Sequence, residues 1–289
     1  MNRAHGWVDY HQRMARVTAY LHDHLAEDLN LARLAEVAHL SAFHWHRVYH
    51  ALQGETIAAT LRRLRLHRGS GYLATTPLPV AQIARRCGYP SPQSFARAFR
   101  QAYGMTPLDY RARGSHVAFQ AGAAAVAAAG YEVTVREVPA IAMAGVNHRG
   151  SYMLIGKAFE AAQGALAAQG LLRPDARWLA VYLDDPFAVP EAQLASRAGL
   201  SLAPGHAAPA PPLQCFTLGG QRCAVLRHRG PYATMRAAYQ WLYGHWLVAS
   251  GCEAADLPVF EEYLNHPRHT APADLLTDIF LPLAAAPAS

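Results

Sequence analysis

Apolar positions recur at helical spacing through the first third of the chain. Met14, Val17, Tyr20, Leu21 and Leu25 form one such stripe, and Leu31, Leu34, Ala35 and Ala38 form another. Residues 7–114 therefore read as helical throughout. From Tyr131 the texture changes to a period of two. Tyr131–Val138, Trp178–Leu183 and Val259–Leu264 read as strands, and Leu154–Gln169 as an amphipathic helix. Between the two textures lie residues 114–130, GSHVAFQAGAAAVAAAG, which carry no charge and are low in complexity, and so read as a linker. The Pro/Ala-rich stretch His206–Pro212 is expected to be a surface loop. A multidomain chain follows: an all-α domain over 1–113 and an α+β domain over 131–284. The length, 289 residues, suits two cores.

The first region repeats itself. Leu31-Ala-Arg-Leu34-Ala35-Glu-Val-Ala38 matches Val80-Ala-Gln-Ile83-Ala84-Arg-Arg-Cys87 at an offset of 49. After a short turn, Trp45, Arg47, Tyr49, Gly54 and Thr56 match Phe95, Arg97, Phe99, Gly104 and Thr106 at an offset of 50. The extra residue falls in the turn, where insertions are tolerated. Each unit reads as a helix, a tight turn and a second helix. Ser41 and Ser91 suit the N-caps of the second helices, and Pro92 suits a first helical position.

Charge sharpens this picture. Residues 1–114 hold 15 arginines, no lysine and 7 acidic residues, a net +8, whereas residues 115–289 sum to −2. A basic pair of helix-turn-helix units points to double-stranded DNA. In that motif the start of the second helix meets base edges in the major groove. Those residues are Phe43, His44, His46 and Arg47 in the first unit, and Ser91, Gln93, Ser94 and Arg97 in the second. Arginine offers a planar fork for guanine, glutamine pairs with adenine, and Phe43 suits a thymine methyl. The other arginines of this part are expected to add phosphate contacts. His46 and His50 stand one helical turn apart, but with no acidic or cysteine partner nearby they suggest no metal site.

The segment from about Ala19 to Arg113 resembles the AraC-type transcriptional regulators, most specifically at Gly88-Tyr-Pro-Ser-Pro-Gln-Ser-Phe95-Ala-Arg-Ala-Phe99-Arg100 and Gly104-Met-Thr-Pro107-Leu-Asp-Tyr110-Arg111. The resemblance implies two recognition helices on one DNA face, joined by a helix over about Thr56–Thr75. RNA polymerase is a further candidate partner. His39 departs from the pattern, since that turn usually holds glycine, and a slightly different turn is expected there.

The second region also repeats. Ala144-Gly-Val146-Asn-His148-Arg149-Gly150-Ser-Tyr152 matches Ala224-Val-Leu226-Arg-His228-Arg229-Gly230-Pro-Tyr232 at an offset of 80, and Ala158-Phe159 matches Ala238-Tyr239. Tyr182-Leu183-Asp184-Asp185-Pro186 then matches Tyr263-Leu264-Asn265-His266-Pro267 at an offset of 81, as Leu200 and Leu202 match Leu281 and Leu283. Two βαββ copies with pseudo-twofold symmetry would leave a cleft at their junction. Period two puts Leu179, Val181 and Leu183 on one face with Phe260, Glu262 and Leu264. This apolar face is expected to be the one packed by helices. The opposite face carries Trp178, Tyr182, Glu261 and Tyr263. A carboxylate among aromatic rings suits a lipophilic cation. Alternatively, Glu261 is an edge residue in solvent, or is paired with an arginine such as Arg229.

Residues 131–284 resemble the gyrase-inhibitor-like (GyrI-like) effector domains, through His228-Arg-Gly-Pro-Tyr232, Tyr239-Gln-Trp241-Leu-Tyr243, Pro258-Val-Phe-Glu261-Glu-Tyr263-Leu-Asn265 and Leu276-Thr-Asp278-Ile-Phe-Leu-Pro282-Leu. That resemblance implies a small-molecule effector, amphipathic and often cationic, with Glu261 lining its pocket. Tyr152, Trp178, Tyr182, Tyr232, Trp241 and Tyr263 are the candidate aromatic walls. Some such domains are hydrolases, but no nucleophile–base pair or metal motif supports an enzyme here, and no cofactor is expected. A drug-sequestering protein is the other alternative. The expected reading is a cytoplasmic, multidrug-type transcription regulator. Cys87, Cys215, Cys223 and Cys252 form no CxxC pair, no apolar run reaches the ~18 residues of a membrane helix, and the N-terminus lacks a signal-peptide core.

Overall fold

A computed structural model describes residues 3–27, 30–40, 45–114, 130–186 and 189–285. The expected linker at 114–130 lies almost wholly outside the described residues, as do Ser41, Phe43 and His44. The chain divides into two compact units, with the main break at residue 115.

The first unit is helical: α1 (Arg3–Asp23), α2 (Leu31–Ala38), α3 (Trp45–Gln53), α4 (Ile57–Thr75), α5 (Val80–Arg86), α6 (Pro92–Tyr103) and α7 (Pro107–Gly114). Its stripes close one core of Met14, Val17, Leu21, Leu25, Leu34, Trp45, Tyr49 and Leu61. The repeat anchors do equivalent work: Trp45, Tyr49, Phe95 and Phe99 are all fully buried. The caps explain the boundaries. The Thr56 side chain accepts from Ala59 N at the start of α4. Ser91 accepts from Ser94 N, Ser94 returns the bond, and Pro92 fills the first turn.

The turn at His39 corrects the expectation of altered geometry. His39 N donates to Glu36 O and Leu40 N to Ala35 O, just as Gly88 N donates to Arg85 O and Tyr89 N to Ala84 O. His39 simply takes the left-handed conformation, φ 51°, that Gly88 takes at 71°. The turn is kept because its two hydrogen bonds close α2, and the cost falls on the backbone of an exposed histidine. His39→Gly is therefore expected to stabilise the helical unit by about 1 kcal/mol, read as a higher urea midpoint.

The second unit is one antiparallel eight-stranded sheet with helices on one face. Its elements are β1 (Val133–Val138), β2 (Ile141–Arg149), α8 (Gly156–Ala168), β3 (Trp178–Tyr182), β4 (Ala195–Ser201), β5 (Gln214–Leu218), β6 (Gln221–Arg229), α9 (Met235–Trp241), β7 (Phe260–Tyr263) and β8 (Leu276–Pro282). Helix α9 runs on through a π turn, Leu242–Leu247, to Ser250. The strand order is β1-β6-β8-β7-β3-β4-β2-β5. Exchanging the halves reverses this order onto itself, so the pseudo-twofold passes between β3 and β7.

Two expectations need correction. The repeat is ββαββ, not βαββ, because each copy begins with a strand that pairs with the other copy. Strand β1 lies against β6, and β5 lies against β2. The helix-packed face is also the opposite of the one expected. Leu179, Val181 and Phe260 pack with Val138, Ile141, Met143, Leu218, Val225 and Phe280, all of them strand or strand-end residues. Val138 and Leu218 sit on the two edge strands, so the sheet curls and buries this face against itself. The helices cover the other face: Ala158 and Phe159 pack on Ala180 and Ala198, and Ala238 and Trp241 on Ala224, Leu226 and Ile279. Leu183 and Leu264 are each 40% exposed and lie just past the ends of β3 and β7.

Candidate functional sites: the DNA-reading helices and a buried glutamate among tyrosines

On α6, Gln93, Arg97 and Arg100 are exposed at a spacing that puts them on one face. Phe95 and Phe99 hold the other face in the core. On α3, His46, Arg47 and His50 are exposed above buried Trp45 and Tyr49. The structure thus brings Arg47 and Arg97 to matching outward positions. Arg100 was not singled out from sequence, although its i+3 spacing from Arg97 on an amphipathic helix was a readable signal. Ser91 and Ser94 do a different job: their hydroxyls bond each other and the local backbone in the cap.

The expectation for the remaining arginines needs division. Several brace the fold instead of facing solvent. Arg65 donates through Nε to Leu25 O and through Nη2 to Glu27 O. Arg68 donates to His22 O, Arg13 to His39 O and Arg111 to Leu78 O. Arg63 forms a two-point pair with the Glu55 carboxylate. Arg16, Arg62, Arg85 and Arg86, by contrast, are exposed.

In the second unit, Glu261 lies on the central strand β7 and is 1% exposed. It is neither a solvent-facing edge residue nor a partner of Arg229, which pairs with Asp274. Across the β3–β7 ladder its register partner is Ala180, whose small side chain leaves room for the carboxyl. Tyr239 Oη donates to Oε1 at 2.6 Å and Tyr263 Oη to Oε2 at 2.7 Å. Tyr182 and Tyr263 share a hydroxyl bond of 2.6 Å. Burial pushes the Glu261 carboxyl up to about 7, opposed by the hydrogen bonds from Tyr239, Tyr263 and Tyr182. Burial and the neighbouring carboxylate hold all three phenols well above their usual range.

The aromatic frame follows the pseudo-twofold. Tyr152 meets Tyr182 edge-on with centroids 4.7 Å apart, and Tyr232 meets Tyr263 edge-on at 5.3 Å. Tyr152 Oη is committed to backbone, donating toward Asp184 O and Ala195 O and accepting from Asp184 N. Trp178 packs against Phe159 and His266. Trp241, by contrast, has Tyr131 and His245 as its ring neighbours and belongs to the α9 core. Tyr239 was missed as a site residue. Its signal was the change from Phe159 to Tyr239 between otherwise matching repeats, a hydroxyl gained in one copy only.

No group of three His, Cys, Asp or Glu among the described residues could hold a metal ion. No helix among them is long and apolar enough to cross a membrane.

Both parts of the chain match known families. The GyrI-like small molecule binding domain family matches residues 131–284, and a helix-turn-helix domain family matches residues 34–113. The regulatory protein SoxS of Escherichia coli K12 is 32% identical over 104 residues, which is 36% of this chain and 97% of SoxS. The probable transcriptional regulator LumQ of Photobacterium leiognathi is 32% identical over 98 residues, 34% of this chain and 40% of LumQ. Among solved structures, the DNA-binding domain of the global transcriptional factor AdpA, in complex with a target DNA, is 30% identical. That match covers 37% of this chain and 93% of the AdpA domain, with a TM-score of 0.33. The chain belongs to the AraC-type DNA-binding transcription regulators and carries a GyrI-like small-molecule-binding domain.

Proposed function

We propose that this regulator senses an amphipathic, cationic aromatic molecule through Glu261 and the tyrosines around it, and that the bound effector changes its action at a promoter. The observation that carries this reading is the buried carboxylate whose hydrogen-bond donors are all phenols. An ionised acid at that depth lacks a counter-ion among its bonding partners, and a lipophilic cation would supply one. Cation binding would hold Glu261 ionised, so affinity should rise with pH as the medium passes about 7. Calorimetry with a lipophilic cation is expected to show at least tenfold weaker binding for Glu261→Gln, with DNA affinity unchanged. Equal affinity for both proteins would remove Glu261 from the role. The same reading makes the domain a binder and not a hydrolase. The cation should return unchanged from incubation, as mass spectrometry would show.

At the DNA end, Arg47, Gln93 and Arg97 are proposed to carry base discrimination, at about 1–3 kcal/mol per two-point contact. Arg97→Ala should weaken binding to the preferred site far more than to unrelated sequence. Arg85→Ala should weaken both alike and lower the slope of log affinity against log salt by about one unit. Fluorescence anisotropy on upstream intergenic DNA across a salt series distinguishes the two behaviours. RNA polymerase would be met at such a promoter, and an effector that changes promoter output would set this protein apart from one that only sequesters a drug.

A further inference from the structure

The tyrosine frame obeys the pseudo-twofold, but its immediate surroundings break it. Tyr182 and Tyr263 are equivalent, as are Tyr152 and Tyr232. Three further pairs are not alike. Ala180 faces its own equivalent, Glu261, across the ladder. Phe159 on α8 corresponds to Tyr239 on α9, and Trp178 on β3 corresponds to Val259, just before β7. Two of the differences, Phe159 with Tyr239 and Ala180 with Glu261, run from apolar to polar, and the third, Trp178 with Val259, removes an aromatic ring from the second copy. The first copy holds apolar surface: Phe159, Trp178 and Ala180 form one cluster. The second copy holds a hydroxyl and a carboxyl that are bonded together. The site therefore has an aromatic end and a polar end.

The direction of hydrogen bonding sets the chemistry of the polar end. Tyr239 and Tyr263 each spend their one proton on the Glu261 carboxylate. Tyr263 can then only accept in its bond with Tyr182, so the one proton of Tyr182 is also held inside the cluster, shared between Tyr263 and the carboxylate. What remains on Tyr239 and Tyr182 are lone pairs. With Glu261 ionised, such a cluster welcomes an N–H donor or a positive charge, and it offers no proton to a carbonyl or carboxylate.

Building on the effector-binding reading above, we propose that the site is directional: it seats an aryl-ammonium ligand one way round, with the N–H-bearing cationic head at Tyr239 and Glu261 and the aryl group at Phe159 and Trp178. Tyr239 is then the residue that selects for N–H, and Trp178 the one that selects for aryl surface.

Two probes separate these roles in the full-length protein. 1-Naphthylmethylammonium carries an aryl group and N–H donors, whereas tetraphenylphosphonium carries aryl groups and charge with no N–H. By titration calorimetry, Tyr239→Phe is expected to weaken the ammonium at least tenfold more than the phosphonium, because both probes lose the hydrogen bond that favours the ionised Glu261 but only the ammonium loses an acceptor for its N–H. Trp178→Val, which installs the second copy's own residue, is expected to weaken both about tenfold. Phe159→Tyr is expected to leave the preference between the probes unchanged. The readout is the ratio of two affinities on one protein, so a variant with a lower folded fraction still reports. If Tyr239→Phe weakens both probes equally, or neither, the assigned orientation is wrong. If Trp178→Val leaves both affinities intact, the aryl end is misplaced. If the native protein binds neither probe, the effector reading itself fails.

Discussion

Replacing Gly69 with leucine should cost the helical unit more than 3 kcal/mol and should lower DNA affinity at least a hundredfold. Gly69 is buried in α4, where a Cβ would already stand 2.8 Å from Phe95 Cε2 and 2.9 Å from Cζ. Phe95 cannot retreat. It is fully buried and packed against Tyr89 and Phe99. Interiors this dense resist even one extra methyl, so alanine should lose about 1–3 kcal/mol to overpacking, partly offset by about 1 kcal/mol of helix propensity. Leucine has no such escape. Because Phe95 sits on α6, the strain would displace the helix that presents Gln93 and Arg97. Urea unfolding followed by circular dichroism, together with anisotropy on specific DNA, tests both halves of the expectation. Native-like stability for Gly69→Leu would mean that α4 and α6 are not packed as described.

Stability of the second unit should fall as pH rises, and Glu261 is the reason. Its carboxyl titrates near 7 in the folded protein, against 4.5 ordinarily. Below 4.5 the group is protonated in both states, and its preference for the neutral form is fully expressed. Between 4.5 and 7 only the folded state still holds the proton, so stability drops with pH at up to about 1.4 kcal/mol per unit. The total is about 3 kcal/mol, lost by the time pH exceeds 7. Glu261→Gln cannot ionise and keeps the neutral form's shape. It should therefore exceed the native protein in stability at pH 8 and converge with it near pH 4. Denaturant titrations at those two values measure the difference. A gap that does not change with pH would place the titration elsewhere.

The fold was legible where the sequence repeats. Matching anchors such as Trp45 with Phe95 fixed the helical pairs, and the Thr56–Thr75 helix was found almost to the residue. The change of offset from 80 to 81 also has a physical counterpart. Tyr152 and Tyr232 precede the two helices at an offset of 80, while Gly170 and Gly251, both left-handed, follow them at 81. The additional residue thus lies inside the second helix, where the π turn Leu242–Leu247 absorbs it. Other features left no local trace. An apolar face at Leu179 and Val181 declares that it is covered but not by what, and a curled sheet covers it as well as helices would. The pairing of β1 with β6 follows from tertiary closure, and nothing in Val133–Val138 announces its distant partner. Strand periodicity puts Glu261, Tyr182 and Tyr263 on one face, and the structure brings them into hydrogen-bond contact. Trp241 was included through a shared motif, although it faces the core of its own helix.

The exchange of β1 and β5 between the two copies also orders events during synthesis. Val133 pairs with Leu226, so β1 leaves the ribosome roughly 5–20 s before its partner at usual elongation rates. The helices ahead of it need only neighbours already made. The helical unit can thus be folded while the second unit still waits for half its sheet. During that interval β1 is an unpaired strand rich in valine, the kind of segment that invites aggregation. Arg136 and Glu137 place opposite charges at its centre and end, and the finished sheet leaves both exposed.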